Sequence, residues 1–170
     1  MAKLEQILQF LDDTFQPAHT PDYPGALNGL QVCGRGDVRH IGAAVDASAE
    51  TIEAAVGGGV HLLLVHHGLF WGGLGPLTGP RFRKVSGLIR GEVGLYSLHL
   101  PLDAHPDLGN NAILAGELGL ETAGDFGTFK EAKIGRWCRA DLSREELTGR
   151  LEKAVAGNVR AIPGGPERCR

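Results

Sequence analysis

The hydrophobic positions at the start of the chain follow helical spacing. Leu4, Ile7, Leu8 and Leu11 recur at intervals that place them on one face, which predicts an amphipathic helix that ends near Pro17. After this helix we expect a loop over residues 19–24, a short strand over residues 30–32 and a turn over residues 34–37.

A strand–helix–strand unit is predicted next. Residues 41–45 form an apolar run that is typical of a strand, and Ser48 is a suitable N-cap for a helix over residues 49–56. Residues 62–65 are all apolar and follow a glycine cluster, which predicts a fully buried strand. Such a unit joins two parallel strands by a right-handed crossover.

Strands and helices continue to alternate along the rest of the chain. A glycine-rich, irregular segment over residues 69–80 is predicted to form a flexible lid, and a helix over 81–90 and a strand over 93–98 follow it. The next predicted helix covers residues 111–118 and ends at Gly119. A last helix begins with a capping box at 143–146 and ends at Gly157, before a strand over 158–162. This alternation predicts an α/β fold with a mixed or mostly parallel sheet and flanking helices. A chain of 170 residues, 42% of them hydrophobic, is expected to form a single domain over residues 1–170.

Composition excludes several classes of protein. No apolar run approaches the roughly eighteen residues that a membrane span needs, and acidic and polar residues interrupt the N-terminal segment where a signal peptide would be apolar. Three cysteines, an odd number without metal-type spacing, indicate a reducing cytoplasm. Residues 130–170 carry 10 Lys and Arg against 6 Asp and Glu, but the signs alternate as on a solvated helix and do not indicate a nucleic-acid partner.

Two adjacent histidines follow the predicted buried strand. His66 and His67 therefore place two imidazoles at the end of a rigid element. The strand over residues 93–98 is followed in the same way by His99 and Asp103. Ligands of such sheets bind beyond the carboxyl ends of the strands. The pattern predicts a metal site, and its mixture of imidazole and carboxylate suits Zn, Fe or Mn.

Strand geometry restricts how these histidines share a metal. Consecutive side chains of a regular strand point to opposite faces, so His66 and His67 bind one ion only if the strand breaks at once, as Gly68 would permit. Alternatively, each histidine binds a different ion, and Asp103 bridges or completes the pair. Two ions about 3.5–4 Å apart activate water and hold the oxygens of a group that is hydrolysed.

Structural roles account for the same residues without a metal. Paired histidines at the end of a strand also serve as hydrogen-bonding or surface groups. Asp103 could cap the turn before Pro106, and His99 could orient a ligand or pack in the core. Structural or exposed positions are expected for the remaining histidines, which are His19, His40, His61 and His105.

Several sequence blocks resemble the signature blocks of one known family. They are, in chain order, Asn28–Val32, Ala43–Ala47, Leu64–Trp71, Leu95–Asp103 and Gly109–Asn111. The family is the group of dinuclear-metal hexamers known as GTP cyclohydrolase 1 type 2 homologues, or NGG-interacting factor three-like proteins. The block that contains the paired histidines, together with the aspartate downstream of it, is a specific signature for this resemblance.

The resemblance implies an α/β protein that assembles into a ring-shaped hexamer with two-metal sites facing an internal cavity. His66, His67 and Asp103 match the N-terminal metal ligands of the family, and His99 falls in the same motif and is expected near the site. The family's other ligands, a histidine and a glutamate, come from a C-terminal segment, whereas no histidine follows His105 here. The chain is therefore expected to be the N-terminal part of a longer, two-lobed protein; alternatively, water or another chain supplies the missing ligands.

Two functions are consistent with these expectations. The first is a cytoplasmic, dinuclear-metal hydrolase of the GTP cyclohydrolase or phosphoester type, acting on a nucleotide-like small molecule. The second is a non-enzymatic, metal-stabilised ring that acts as a scaffold, chaperone or regulatory binding module, because no general base or nucleophile is evident apart from the expected ligands.

Overall fold

The structure, a computed structural model, describes residues 1–73 and 75–169. Contacts between residues divide the chain into two compact units, Met1–Leu102 and Asp103–Arg170. None of the described helices combines the length and the apolar character that crossing a bilayer requires.

The first unit contains the helices and strands that carry the paired histidines. Its elements are β1 (Ala2–Lys3), α1 (Leu4–Phe15), β2 (Gly29–Val32), β3 (Asp37–Val38), β4 (Ile41–Asp46), α2 (Ala49–Gly57), β5 (Leu62–His67), α3 (Gly79–Arg90), β6 (Gly94–Ser97) and α4 (Leu100–Asp103), whose last residue belongs to the second unit. Helix α3 begins earlier than predicted, because Pro80 fits the first turn of a helix.

A four-stranded sheet with the order β2-β6-β5-β4 forms the centre of the first unit. Strands β4, β5 and β6 run parallel, and β2 pairs antiparallel with β6 at one edge. The predicted strand–helix–strand unit is present as β4, α2 and β5. These elements confirm the α/β fold with a mixed sheet and flanking helices.

The two central strands of this sheet, β5 and β6, are largely buried on both faces. Leu63 of β5 packs in an apolar cluster with Ile52 of α2 and Leu88 of α3. Its neighbour Leu62 packs in a second cluster with Leu4 of α1. Since successive side chains of a strand alternate between faces, β5 contributes to both clusters. Packing on both faces therefore fixes the position of its carboxyl end.

The second unit contains α5 (Asn110–Glu117), β7 (Thr122–Phe129), β8 (Ala132–Cys138), β9 (Leu142–Ser143), α6 (Arg144–Val155) and β10 (Arg168–Cys169). The predicted capping box is confirmed: the Ser143 hydroxyl accepts from the Glu146 amide at 3.1 Å, and the Glu146 carboxylate accepts from the Ser143 amide at 2.6 Å. Ala156, in the left-handed conformation, ends α6 one residue before the predicted Gly157.

The sequence does not predict the antiparallel hairpin of β7 and β8. Most side chains of β7 are exposed and most of those of β8 are partly buried, so neither strand shows the regular alternation that marks a half-buried strand. Glycines also weaken both strands. The rings of Trp137 and Phe126 cover Gly124 and Gly135 from across the hairpin and compensate for the missing side chains.

The prediction of a strand over residues 158–162 is wrong. This segment forms no strand, and Ile162 is 82% exposed. A strand needs a neighbouring strand with which to form hydrogen bonds, and β9 pairs instead with β10, nearer the end of the chain.

Candidate metal centre

Three histidines converge at the carboxyl ends of two neighbouring parallel strands. His66 and His67 are the last residues of β5, and His99 follows β6. One possible ligand atom from each lies within 4.8 Å of the others. The ring centroids of His66 and His67 are 4.6 Å apart. The ring centroid of His99 lies 5.0 Å from that of His66 and 5.7 Å from that of His67. Within the described part of the chain, these side chains form a group that could hold a metal ion.

The paired histidines meet although the strand does not break between them. His67 still pairs with Asp46 of β4, so β5 continues through both positions. Alternation fixes only the direction of the Cα–Cβ bonds, and rotation about the side-chain torsions allows the two ring centroids to lie 4.6 Å apart. The structure therefore brings His66 and His67 into one site.

A hydrogen bond at Nδ1 fixes each ring of the pair. His66 Nδ1 lies 2.8 Å from the carbonyl oxygen of Leu98, and His67 Nδ1 lies 2.7 Å from Oδ1 of Asp46. A carbonyl and a carboxylate only accept hydrogen bonds, so Nδ1 carries the proton and Nε2 is the nitrogen that could bind a metal ion. Metal-binding histidines usually have such a partner, which fixes the tautomer and the orientation of the ring.

The buried carboxylate of Asp22 orients His99 in the same way. Its Oδ1 lies 2.9 Å from His99 Nδ1, and the two side chains are only 5% and 14% exposed. Asn28 Nδ2 and the amides of Tyr23 and Leu100 also donate to this carboxylate. Burial alone would raise the pKa of Asp22, but the hydrogen bonds from Asn28, His99 and the backbone together lower it below its ordinary value. Asp22 therefore stays charged and keeps the His99 proton on Nδ1.

Two amide side chains fix the backbone around the cluster. Asn28 Oδ1 accepts from the amide of His99 at 2.7 Å. Gln31 Oε1 accepts from the amide of Leu69 at 2.7 Å, directly after the paired histidines. The Gln31 amide lies over Gly68, where a Cβ would overlap it. Glycine at this position therefore allows the loop after β5 to pack on β2.

Two aromatic rings also contact the cluster. The centroid of Trp71 lies 4.9 Å from that of His99 at an interplanar angle of 89°, and the centroid of Tyr23 lies 6.0 Å from it. Trp71 belongs to the segment that the sequence predicts as a lid, of which Leu74 lies outside the described residues.

The remaining predicted site residue, Asp103, lies in the second unit. Asn110 Nδ2 donates to its Oδ1 at 2.9 Å. Its role as a metal ligand stays a prediction.

Of the histidines expected to be structural, His61 Nδ1 accepts from the amides of Arg39 and His40, which fixes the chain before β4.

The residues that orient the imidazoles were not predicted from the sequence. Asp46 ends β4, so the strand-end rule that identified His66 and His67 would also have found it. Asn28 lies in one of the blocks that resemble a known family. Asp22 lies in a loop without any periodic pattern, and only the folded structure reveals its role.

Comparison with known proteins assigns the chain to a family. The family model described as Duf34/NIF3 (NGG1p interacting factor 3) matches residues 2–170. The chain belongs to the Duf34/NIF3 family. This assignment confirms the resemblance inferred from the sequence blocks.

Individual relatives and solved structures agree with this assignment. A Treponema pallidum protein named GTP cyclohydrolase 1 type 2 homolog is 50% identical over 113 residues, which are 66% of this chain and 40% of that protein. An Archaeoglobus fulgidus protein of the same name is 39% identical over 167 residues, which are 98% of this chain and 66% of that protein. The crystal structure of TTHA1606 from Thermus thermophilus superimposes with a TM-score of 0.84 at 36% identity, covering 98% of this chain and 67% of that one. The chain thus spans 40% to 66% of the length of these two curated relatives.

Proposed function

We propose that this chain forms a divalent-metal site of a metal-dependent hydrolase of the GTP cyclohydrolase or phosphoester type. The observation that carries the proposal is the convergence of His66, His67 and His99, each with Nδ1 held by an acceptor. Three such imidazoles fit a divalent ion by their chemistry, and Zn, Fe and Mn all accept this donor type.

The residues around the cluster would prepare it for an ion. Asp22 and Asp46 hold His99 and His67 in the orientation that presents Nε2 to an ion. A bound divalent ion would supply Lewis-acid chemistry and activate water for hydrolysis.

We further propose that the complete site takes two ions and that Asp103 is a ligand. This extension rests on the family resemblance, in which His66, His67 and Asp103 match the metal-binding positions. The names of the relatives support a cyclohydrolase reaction on a nucleotide-like substrate, although those names belong to the relatives.

Metal analysis tests the site directly. We expect wild-type protein to retain divalent metal, and His66→Ala, His67→Ala and Asp103→Ala to lose most of it. His40→Ala is the matched control, because His40 precedes β4 and lies at the opposite ends of the parallel strands. Equal metal content in all five proteins would refute the assignment.

Assays of turnover separate the two candidate functions. Hydrolysis of GTP and of simple phosphoesters is measured with added Mn²⁺ or Zn²⁺, in wild type, Asp103→Asn and His40→Ala. Turnover that disappears only in the Asp103 variant supports a hydrolase. Metal binding without turnover of either substrate class favours the non-enzymatic ring.

We also propose that the protein is a cytoplasmic homo-oligomer, a hexamer by family resemblance. Its three cysteines, without disulfide-type or metal-type spacing, support a reducing compartment. Light scattering after size-exclusion chromatography measures the mass, and a monomer at all concentrations would contradict the assembly.

A further inference from the structure

Two aromatic side chains border the histidine cluster without a role in holding metal. Trp71 contacts His99 edge to face and also lies 6.4 Å from His67, centroid to centroid. Tyr23 contacts His99 with its ring tilted by 43°. We name Trp71 and Tyr23 the aromatic rim.

The aromatic rim is exposed although it covers a buried histidine. Trp71 is 40% exposed and Tyr23 is 52% exposed, whereas the His99 side chain is only 14% exposed. An edge-to-face contact covers at most one face of the indole ring, so the other face of Trp71 lies outside this contact. Aromatic surface beside convergent polar groups is typical of a binding site for a small molecule.

The backbone holds Trp71 in place. Gly72 and Gly73, which follow it, have φ values of +79° and +89° that favour glycine. The amide of Gly72 approaches the carbonyl of Gly25, and a Cβ on Gly25 would lie 2.6 Å from the Gly72 nitrogen. Because Gly25 lies in the same segment as Asp22 and Tyr23, one close backbone contact sets the tryptophan beside the residues that orient His99. A preordered ring loses little freedom when a ligand stacks on it.

The chemistry of the contacts indicates the class of ligand. The contacts of His67 and His99 include the carboxylates of Asp46 and Asp22 and the aromatic rings of Trp71 and Tyr23. A planar ring can stack on the aromatic surfaces among these groups.

We propose that the aromatic rim binds a planar nitrogen heterocycle, such as a nucleobase, by stacking on Trp71, and that this places the ring beside the histidine cluster. The inference deepens the proposed function by naming how its substrate is recognised, and it rests on that function only for the reaction that follows binding. Trp71 is then a residue that determines ligand specificity.

A pair of matched ligands tests the stacking. Guanosine 5′-monophosphate and ribose 5-phosphate share the sugar phosphate and differ by the base. Calorimetric titration of the whole chain is expected to show the nucleotide binding at least about tenfold more tightly, since stacking of one base contributes about that much. Trp71→Leu is expected to weaken nucleotide binding about tenfold, and Trp71→Phe to retain most of it because a ring remains.

Trp137→Leu is the control variant, because Trp137 has a similar exposure of 42% but lies in the second unit. Three results would overturn the proposal: unchanged nucleotide affinity in Trp71→Leu, an equal loss of affinity in Trp137→Leu, or equal affinity of the wild type for the two ligands. Metal content is measured on the same preparations. If the protein contains no metal but still binds the nucleotide through Trp71, the proposed function is refuted and the stacking proposal stands. If the protein contains metal but its affinity does not depend on the Trp71 ring, the stacking proposal is refuted and the proposed metal site stands.

Discussion

Asp22 Oδ1 and His99 Nδ1 are 2.9 Å apart, although the two residues are 77 positions apart in the sequence. This hydrogen bond connects the loop after α1 to the end of β6 and fixes the tautomer of one imidazole in the cluster. Because Asp22 also accepts from Asn28 and from two backbone amides, one buried carboxylate determines both the conformation of the loop and the orientation of the ring.

Asp22→Asn is expected to weaken metal binding about 10- to 100-fold, the usual cost of losing a carboxylate that orients a metal-binding histidine. The amide nitrogen would face the protonated Nδ1 or the backbone donors and would leave one of them unsatisfied. Affinity is measured by competition with a chromophoric chelator. Asp13→Asn removes the same charge from an exposed carboxylate bonded to Gln9 and is expected to bind metal as wild type does. If the two variants behaved alike, the orienting role of Asp22 would be refuted.

Gly68→Ala is expected to lower the free energy of unfolding by about 1–3 kcal/mol. The added Cβ would overlap the Gln31 amide, which is held by hydrogen bonds to the Leu27 carbonyl and the Leu69 amide. Truncating Gln31 removes this overlap, so the same substitution should cost less in a Gln31→Ala background. Urea denaturation of the four proteins measures the coupling, and strictly additive costs would contradict the packing described.

Tyr96→Phe is expected to destabilise the protein by about 1–2 kcal/mol at neutral pH. The ring of Tyr96 is 1% exposed, and its hydroxyl donates to Asp12 at 2.6 Å. Chemical denaturation measures the loss. An unchanged free energy of unfolding in Tyr96→Phe would contradict the stabilising role of this hydrogen bond.

The same tyrosine predicts how stability depends on alkaline pH. Burial, followed by the hydrogen bond to Asp12 and its negative charge, raises the pKa of Tyr96. In the unfolded chain tyrosine ionises near pH 10, so the contribution of Tyr96 is complete below about pH 10 and is lost as the pH rises above it. The melting temperature of the wild type should therefore fall more steeply above about pH 10 than that of Tyr96→Phe. Parallel curves would show that the hydroxyl titrates normally.

Ser143→Ala is expected to cost about 0.5–2 kcal/mol, because it removes the acceptor that satisfies the Glu146 amide at the start of α6. Fluorescence of Trp137, which lies in the same unit, follows the unfolding. Ser86→Ala is the comparison: Ser86 lies inside α3 and only bonds back to the Arg83 carbonyl, and alanine favours a helix interior. A loss of similar size in both variants would show that the cap contributes nothing of its own.

Local patterns predicted most elements of the first unit because each is determined by its own residues. The spacing of Leu4 and Leu11 gave α1, the apolar run at 62–65 gave the buried part of β5, and Ser48 gave the start of α2. The β7–β8 hairpin was missed since its glycines and exposed side chains produce no periodic pattern, and its rings cover glycines on the opposite strand.

By itself, the sequence determined the α/β fold, the family and the presence of His66, His67 and His99 at the ends of buried strands. Strand alternation is a local rule, and it predicted that the paired histidines would share one ion only if the strand broke at once, as Gly68 would permit. Only the tertiary structure decided that their rings meet, with the Leu98 carbonyl and Asp46 as the partners that fix them, and that Asp22 fixes His99 beside them. The reason is physical: periodicity records which face a Cβ takes, whereas the direction of an imidazole depends on acceptors supplied by distant parts of the chain.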